Sequence, residues 1–245
     1  MNWLGRYRAG ERDEVWRELR QLGDTVRDPG RIEDAAAVCD EMARRARWNV
    51  ETLVERLVGQ GYRFLSFDSA QTDVVPHVPP TPDAPALVDW LRREFGPLPL
   101  TLESWIGAVG DVWLVGTHPD WPESSAADPL VIEVEGSRYP GADVRGLFVE
   151  ERDMWRETTD EGAANDGFVL PLAPDSLHKD NVSGGAPYGM RLPDACVDGI
   201  FVSDVATPFV AYLNRVFANG GFPGNAPGAA QRRLRQELSQ GLLAL

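Results

Sequence analysis

The pattern of apolar positions is clearest around residue 210, where it predicts a short helix. Large apolar side chains recur there at intervals of three and four residues and form one stripe: Phe209, Tyr212, Leu213, Val216 and Phe217. Thr207 is the expected N-cap of this helix, with Pro208 in the first helical position. Asn219, Gly220 and Gly221 follow the stripe, and we expect them to supply the left-handed backbone that ends a helix.

The same helical period occupies the first 61 residues. It predicts a helix over residues 11–22, which a turn at residues 28–30 separates from the next element. From residue 32 to residue 61 the period continues, as one long helix or as two helices joined near Trp48. The chain therefore begins with a helical region.

A proline-rich segment interrupts the periodic pattern after residue 68. It has neither helical nor strand alternation and contains Pro76, Pro79, Pro80, Pro82 and Pro85. Proline fixes the backbone and removes a hydrogen-bond donor, so we expect an extended surface linker in which His77 is solvated. The predicted organisation is a helical N-terminal region at 1–68, a linker at 69–86 and an α/β domain at 87–245.

Helical and strand patterns alternate in the rest of the chain. Short helices are predicted at 84–94 and 100–109, and an amphipathic helix at 230–245. The predicted strands are residues 111–116, 128–135 and 166–174 and two shorter segments at 189–194 and 198–204. These elements predict a mixed α/β (α+β) fold, preceded by the helical N-terminal region.

Charge and composition narrow the possible partners. The 245-residue chain has a formal net charge of −14, which would repel a phosphate backbone, so we expect no nucleic-acid partner. The acidic surface suits solubility and also the steered capture of a basic protein. No apolar run is long enough for a membrane span, and the charged first residues do not fit a signal peptide, which predicts a cytoplasmic protein without a membrane partner.

Residues 175–189 hold the densest group of polar side chains. Possible chemical groups precede a double glycine: Asp175, His178, Lys179, Asn181, Ser183, Gly184 and Gly185. Such a loop offers a general acid or base, and its glycines permit the positive φ angles of an anion-binding nest. The favoured interpretation is a structured turn in which the Asp, Asn and Ser side chains bond to nearby backbone.

Other candidate groups give no complete site. His118 and Asp120 are possible metal ligands, but nothing nearby completes a coordination set, and Cys39 and Cys196 are isolated from each other in sequence. The chain has no GxSxG elbow, Walker loop, dinucleotide fingerprint or HExxH motif. We therefore predict no catalytic residue, metal or cofactor.

Tryptophan is frequent, and its large area dominates either a core or an interface. Trp90, Trp105 and Trp113 occupy inward positions of the pattern and are expected in the core. Trp121 and Trp155 lie in loop or polar surroundings, which makes them the better candidates for exposed binding anchors, although core packing is the favoured interpretation even for these two.

Within residues 84–224 a Leu-Pro pair opens a predicted helix that runs into a glycine turn, strands follow, and a late helix begins after a threonine. The residues that carry this order are Leu98, Pro99, Trp105, Gly110, Thr207, Phe209 and Leu213. In these features the chain resembles the SUKH superfamily, the Smi/Knr-like immunity and regulatory proteins, and the resemblance implies a mixed sheet with flanking helices, across which the late helix packs. The helical N-terminal region and the insertion at 137–165 depart from the family pattern. The chain is also similar to an uncharacterised bacterial family that shares the HKDNVSGGAPYG and GGFPG segments.

The SUKH resemblance implies a non-enzymatic protein-binding module. Bacterial members are cytoplasmic proteins that neutralise a cognate toxin, often a nuclease or deaminase with a basic cleft, and an acidic surface suits that use. The rival hypothesis is a small-molecule enzyme or ligand-binding protein that uses the 175–183 loop with His118 facing it. A third is an assembly protein, and the sequence ranks no oligomeric state.

Overall fold

The computed structural model describes residues 2–66, 71–136, 141, 143–159, 167–226 and 228–245. The helices are α1 (Trp3–Ala9), α2 (Arg12–Gln21), α3 (Ile32–Gly59), α4 (Ala84–Phe95), α5 (Leu100–Ala108), α6 (Val144–Thr158), α7 (Ser176–Lys179), α8 (Phe209–Ala218) and α9 (Ala229–Ser239). Two 3₁₀ turns cover Gly23–Arg27 and Ser124–Ala127. Most predicted helices are therefore present, within a few residues of their expected bounds.

The strands are short. They are β1 (Arg63–Phe64), β2 (His77–Val78), β3 (Asp111–Trp113), β4 (Gly116–Thr117), β5 (Val131–Ile132), β6 (Phe168–Ala173), β7 (Tyr188–Leu192), β8 (Ile200–Val202) and β9 (Thr207–Pro208). They form three antiparallel sheets in the orders β1-β4, β2-β3-β5 and β6-β7-β8-β9. The predicted mixed α/β class is confirmed, although the described residues form three small antiparallel sheets in place of the mixed sheet that the SUKH resemblance implied.

The helical N-terminal region is built around α3, which is one continuous helix of 28 residues. Its first turn carries Asp34, whose carboxylate accepts hydrogen bonds from the backbone N–H groups of Trp3 (2.8 Å) and Leu4 (3.1 Å). One acidic side chain thus lies at the N-terminal ends of both α3 and α1, where the helix dipole favours negative charge. This contact fixes α1 against α3.

The N-terminal helices share one hydrophobic core with the α/β elements. Helix α3 packs along α5, and the buried side chains of both belong to one continuous cluster. The side chain of Arg27 donates to the carbonyl oxygens of Leu98 and Ala195. The predicted boundary between residues 68 and 69 lies outside the described residues.

A buried ion pair also joins the two parts. The Asp198 carboxylate is fully buried and accepts from Arg20 of α2, with an Nη2–Oδ2 distance of 2.6 Å. Its other oxygen accepts the backbone N–H of Val210 at 3.0 Å. Burial raises the pKa of Asp198, and Arg20 opposes that shift. Arg20 therefore offsets part of the cost of burying this charge.

We expect Arg20→Ala to lower the free energy of unfolding by about 2–3 kcal/mol at pH 7. This loss is smaller than the usual cost of breaking a buried ion pair, because the Arg20 side chain is one-third exposed and water screens its charge. The loss should shrink towards pH 4. A buried carboxyl with a raised pKa destabilises the fold while it is ionised, and protonation removes that cost. Urea unfolding at the two pH values measures this, and an equal loss at both would contradict the assignment.

The proline-rich segment carries a strand. Strand β2 pairs with β3, placing His77 opposite Val112. His77 is half-buried, and its Nε2 lies 2.8 Å from the carbonyl oxygen of Val109. The expectation of a solvated His77 was therefore wrong, because a two-residue strand leaves no alternation for a periodic pattern to detect.

Helix α8 begins differently from the prediction. Thr207 belongs to β9, which pairs with β8, and its side chain does not cap the helix. The N–H of Phe209 instead donates to the carbonyl of Gly199 at 2.8 Å. At the other end Gly220 and Gly221 have φ angles of +63° and +91°, as predicted, whereas Asn219 keeps a negative φ.

The strand predicted at 128–135 is reduced to the two residues of β5. The Asp111 carboxylate accepts the backbone N–H groups of Val134 (2.7 Å) and Glu135 (3.0 Å), so a side chain replaces a neighbouring strand there. The strand predicted at 111–116 is divided into β3 and β4. The predicted start of the next strand, Asp166, lies outside the described residues.

Candidate functional site

The 175–185 loop is organised by the carboxylate of Asp175. Asp175 is the N-cap of α7, and its Oδ1 accepts the backbone N–H groups of Leu177 (2.8 Å) and His178 (3.0 Å). Gly184 lies so close that an added Cβ would stand 2.2 Å from the same oxygen. Glycine is required at this position because the loop closes onto Asp175.

The two glycines of this described loop do not adopt the conformation that an anion-binding nest would need. Neither Gly184 nor Gly185 has a positive φ angle, and the left-handed residue is Asn181, with φ of +58°. The chain turns at Asn181, a residue type that tolerates this conformation. The structure therefore has the structured turn that the sequence favoured, in which Asp175 bonds to nearby backbone.

His178 and Asp175 form a close pair. His178 Nδ1 lies 2.7 Å from Asp175 Oδ2, and its imidazole is about half exposed. Burial favours the neutral form of Asp175, but hydrogen bonds from the backbone and ring of His178 and from the N–H of Leu177 outweigh it, so the pKa of Asp175 is lowered. The ionised Asp175 carboxylate thus orients the His178 ring through Nδ1, and Nε2 of the ring takes no part in this contact.

Lys179 points the other way, into the protein. Its side chain is fully buried, and its Nζ lies 2.5 Å from Oδ1 of Asp128 and 4.8 Å from the centroid of the Tyr188 ring. Burial lowers the pKa of Lys179, and Asp128 opposes that shift. Asp128 has a left-handed backbone with φ of +55°, which is strained for a residue other than glycine. The ion pair fixes the 175–185 loop to Asp128, which directly follows the 3₁₀ turn at Ser124–Ala127.

Two further hydrogen bonds complete this assembly. Ser125 Oγ donates to Oδ1 of Asp180 at 2.7 Å, and the Tyr188 hydroxyl donates to Oδ1 of Asp204 at 2.7 Å. Three segments distant in sequence therefore meet around the loop. We call their common surface the loop face, consisting of residues 123–128, 175–188 and 204–205.

The loop face exposes both apolar and acidic side chains. Leu177 and Val182 are each 50% exposed, and the backbone N–H of Val182 donates to the carbonyl of Leu177 at 2.9 Å, which holds them on one turn. Val205 is 55% exposed. The acidic side chains of the face with solvent access are Glu123, Asp180 and Asp204.

A cavity of about 330 Å³ opens beside the loop. Its walls include Thr117, Glu123, Ser125, Lys179, Asp180 and Asn181. Most of these groups are polar, and Lys179 and Asp180 are already bonded to Asp128 and Ser125. The cavity therefore resembles a polar groove more than the largely apolar pocket that is typical of small-molecule sites.

His118 does not face this loop, contrary to the expectation attached to the enzyme hypothesis. It is buried and lines a separate cavity of about 210 Å³ against α9, to which the described loop contributes no lining residue. Its Nδ1 accepts the backbone N–H of Asp120 at 3.0 Å. No group of three or more metal-ligating side chains is placed to hold an ion in the part of the chain that the structure describes.

The two candidate tryptophan anchors have different surroundings. Trp121 is only 4% exposed, and its ring packs at 5.5 Å from Phe222 with Arg235 over one face, so it is not an exposed anchor. Trp155 is half-buried on α6 and packs 5.9 Å from Phe168. A binding role for Trp155 stays a prediction. Trp105 and Trp113 lie in the core as expected, and Trp90 is half-buried.

The distribution of charge is a signal that the sequence reasoning missed. Residues 1–68 contain 12 basic and 13 acidic side chains, whereas residues 69–245 contain 12 basic and 25 acidic ones. Almost all of the net charge therefore belongs to residues 69–245, the part of the chain that carries the loop face. Counting the charges of each segment separately would have revealed this uneven distribution from the sequence alone.

Comparison of the chain with protein-family models, with curated proteins and with solved structures finds no match. The SUKH resemblance therefore stays a prediction. Among the described residues, no helix combines the length and the apolar character that crossing a bilayer requires.

Proposed function

We propose that this chain is a non-enzymatic protein-binding module whose loop face binds a basic protein. The SUKH resemblance makes a toxin-neutralising immunity protein, or a regulatory protein, the specific form of this proposal. Two free cysteines and the excess of acidic residues support a cytoplasmic setting without a nucleic-acid partner.

One observation carries the proposal: a rigidly held turn displays exposed apolar side chains. The Asp175 network and the Lys179–Asp128 pair fix the backbone, so Leu177 and Val182 remain half exposed on an ordered surface. Burying them against a partner loses little conformational freedom, which is how preorganised surfaces gain affinity. Together the two side chains offer a partner an apolar contact on an ordered turn.

The surrounding acids favour a basic partner. Glu123, Asp180 and Asp204 belong to the same loop face and have access to solvent, and residues 69–245 hold nearly all of the net negative charge. Charge complementarity accelerates association and excludes acidic competitors, and salt screens it. Binding should therefore weaken as the salt concentration rises.

We expect Leu177→Asp to reduce affinity for the partner at least tenfold, because it places a charge where an apolar contact forms. The measurement is capture of the tagged full chain and its variants from native cells at about 50 and 300 mM salt, followed by titration of the recovered partner. Val58→Asp is the matched control, because Val58 is 58% exposed on α3. Equal losses in both variants, or recovery of an acidic partner, would refute the proposed face.

A second candidate function follows from the Asp175–His178 pair. A buried carboxylate that orients an accessible imidazole is an arrangement used in general acid–base catalysis. Against it, no nucleophilic side chain among the described residues of the loop face hydrogen-bonds to the His178 ring, whose bonding partner there is Asp175. Screening hydrolysable small molecules against the wild-type chain and His178→Ala tests this candidate, and turnover that the variant loses would favour it over protein binding.

A further inference from the structure

Residues 243–245 lie in a groove between α3 and α8 and are held by their backbone. Asn49 of α3 makes two hydrogen bonds to Leu243, accepting its N–H at 2.7 Å and donating to its carbonyl at 2.8 Å. Asn214 of α8 repeats this arrangement with Leu245, at 2.9 Å to its N–H and 3.3 Å to its carbonyl. Two amide side chains therefore substitute for the neighbouring strand of a sheet.

A third side chain binds the residue between them. Arg45 donates to the carbonyl of Ala244 at 3.2 Å, so five backbone groups of three consecutive residues are bonded to side chains of the groove. Asn49 is completely buried, which is costly for an amide unless both of its ends are bonded. The groove is therefore built to bind an extended peptide backbone.

Side-chain selection is confined to one position. Leu245 is buried in the hydrophobic core, whereas Leu243 and Ala244 are exposed. Backbone bonding tolerates many sequences, and a single pocket selects a leucine, which is the usual division of roles in extended-peptide recognition. A cavity of about 480 Å³ adjoins the bound segment and is lined by Arg12, Asn214, Phe217 and the segment itself.

We propose that the groove between α3 and α8 is a receptor site for an extended peptide with a leucine anchor, which residues 243–245 occupy in cis. The ligand in trans is the same segment from a second copy of this chain, since its sequence is already complementary to the groove. The cis segment acts as a competitor at high effective concentration, so trans binding requires that it be displaced. This site is separate from the loop face and does not depend on its function.

The test uses the full chain with a weakened cis segment. Leu245→Asp removes the anchor, and a fluorescent, amidated peptide of sequence Gly-Leu-Leu-Ala-Leu is titrated against it by anisotropy. We expect saturable binding with a Kd below about 1 mM, and at least tenfold weaker binding to the wild-type chain. Adding Asn214→Ala to the variant should weaken binding about tenfold.

Asn219→Ala is the matched control. Among the described residues the Asn219 amide donates to the carbonyl of Arg215 in the same helix and not to residues 243–245, so this substitution should leave peptide binding unchanged. Absence of saturable binding to the folded Leu245→Asp chain would overturn the proposal. If that variant does not fold, amide exchange of Leu243 and Leu245 in the wild-type chain decides. If these two amides exchange through local opening, the segment can be displaced and the proposal is supported. If they exchange only through global unfolding, the proposal is overturned.

Discussion

Replacing Lys179 by Met should lower the free energy of unfolding by about 3–5 kcal/mol at pH 7, because it leaves the Asp128 carboxylate buried without its cation. Methionine keeps the length of the side chain, so the loss reports the charge and not a cavity. Urea unfolding of the wild-type and variant chains measures it. Because the pair fixes the 175–185 loop, the variant should also lose partner affinity while it is still folded.

The matched control neutralises both members of the pair. Asp128→Asn together with Lys179→Met should recover most of the lost stability, since an asparagine tolerates the left-handed backbone at this position and carries no charge. If the double variant is as unstable as Lys179→Met, the loss comes from packing, and the buried ion pair does not explain the rigidity of the loop.

Trp105→Ala should lower the free energy of unfolding by about 3–5 kcal/mol through the large cavity that it leaves. Trp105 is fully buried on α5, packs edge-on against Phe209 at 5.5 Å and donates its Nε1–H to the carbonyl of Gly110 at 3.0 Å. Because α5 packs along α3, the change should destabilise the N-terminal helices and the α/β elements together.

Trp48→Ala is the control for this experiment, because Trp48 is 44% exposed on α3 and its removal should change stability by less than about 0.5 kcal/mol. Unfolding of the Trp105→Ala chain is followed by circular dichroism and by amide exchange in both regions. Coincident transitions are expected from a shared core. Separate transitions, with α3 unaffected, would show that the two regions fold independently.

Helices were the most predictable part of this fold, since α3 and α8 carry long apolar stripes that repeat with the helical period. The strands were less predictable because several contain only two or three residues. Beyond the end of β5 the Asp111 carboxylate accepts the backbone N–H groups of Val134 and Glu135, and this long-range contact leaves no local pattern in the sequence. The local pattern of apolar residues predicts whether a segment forms a helix or a strand, but it does not predict which other segments will pack against it.

The candidate loop was found from its composition, and its role as a structured turn followed from the chemistry of Asp175 and Asn181. Its partners were not predictable. Asp128 lies 51 positions from Lys179 in the chain, and no periodicity links the two. The surroundings of Trp121 were not predictable for a similar reason, because Phe222 and Arg235, which cover it, lie in a distant part of the sequence.

Amide hydrogen exchange of the chain alone and in complex with its captured partner tests the central claim most directly. If the loop face binds a basic protein, complex formation should slow exchange at residues 175–188 and 204–205 and leave the exposed side of α3 unchanged. A complex that protects α3 or another surface while the loop exchanges as in the free chain would contradict this account.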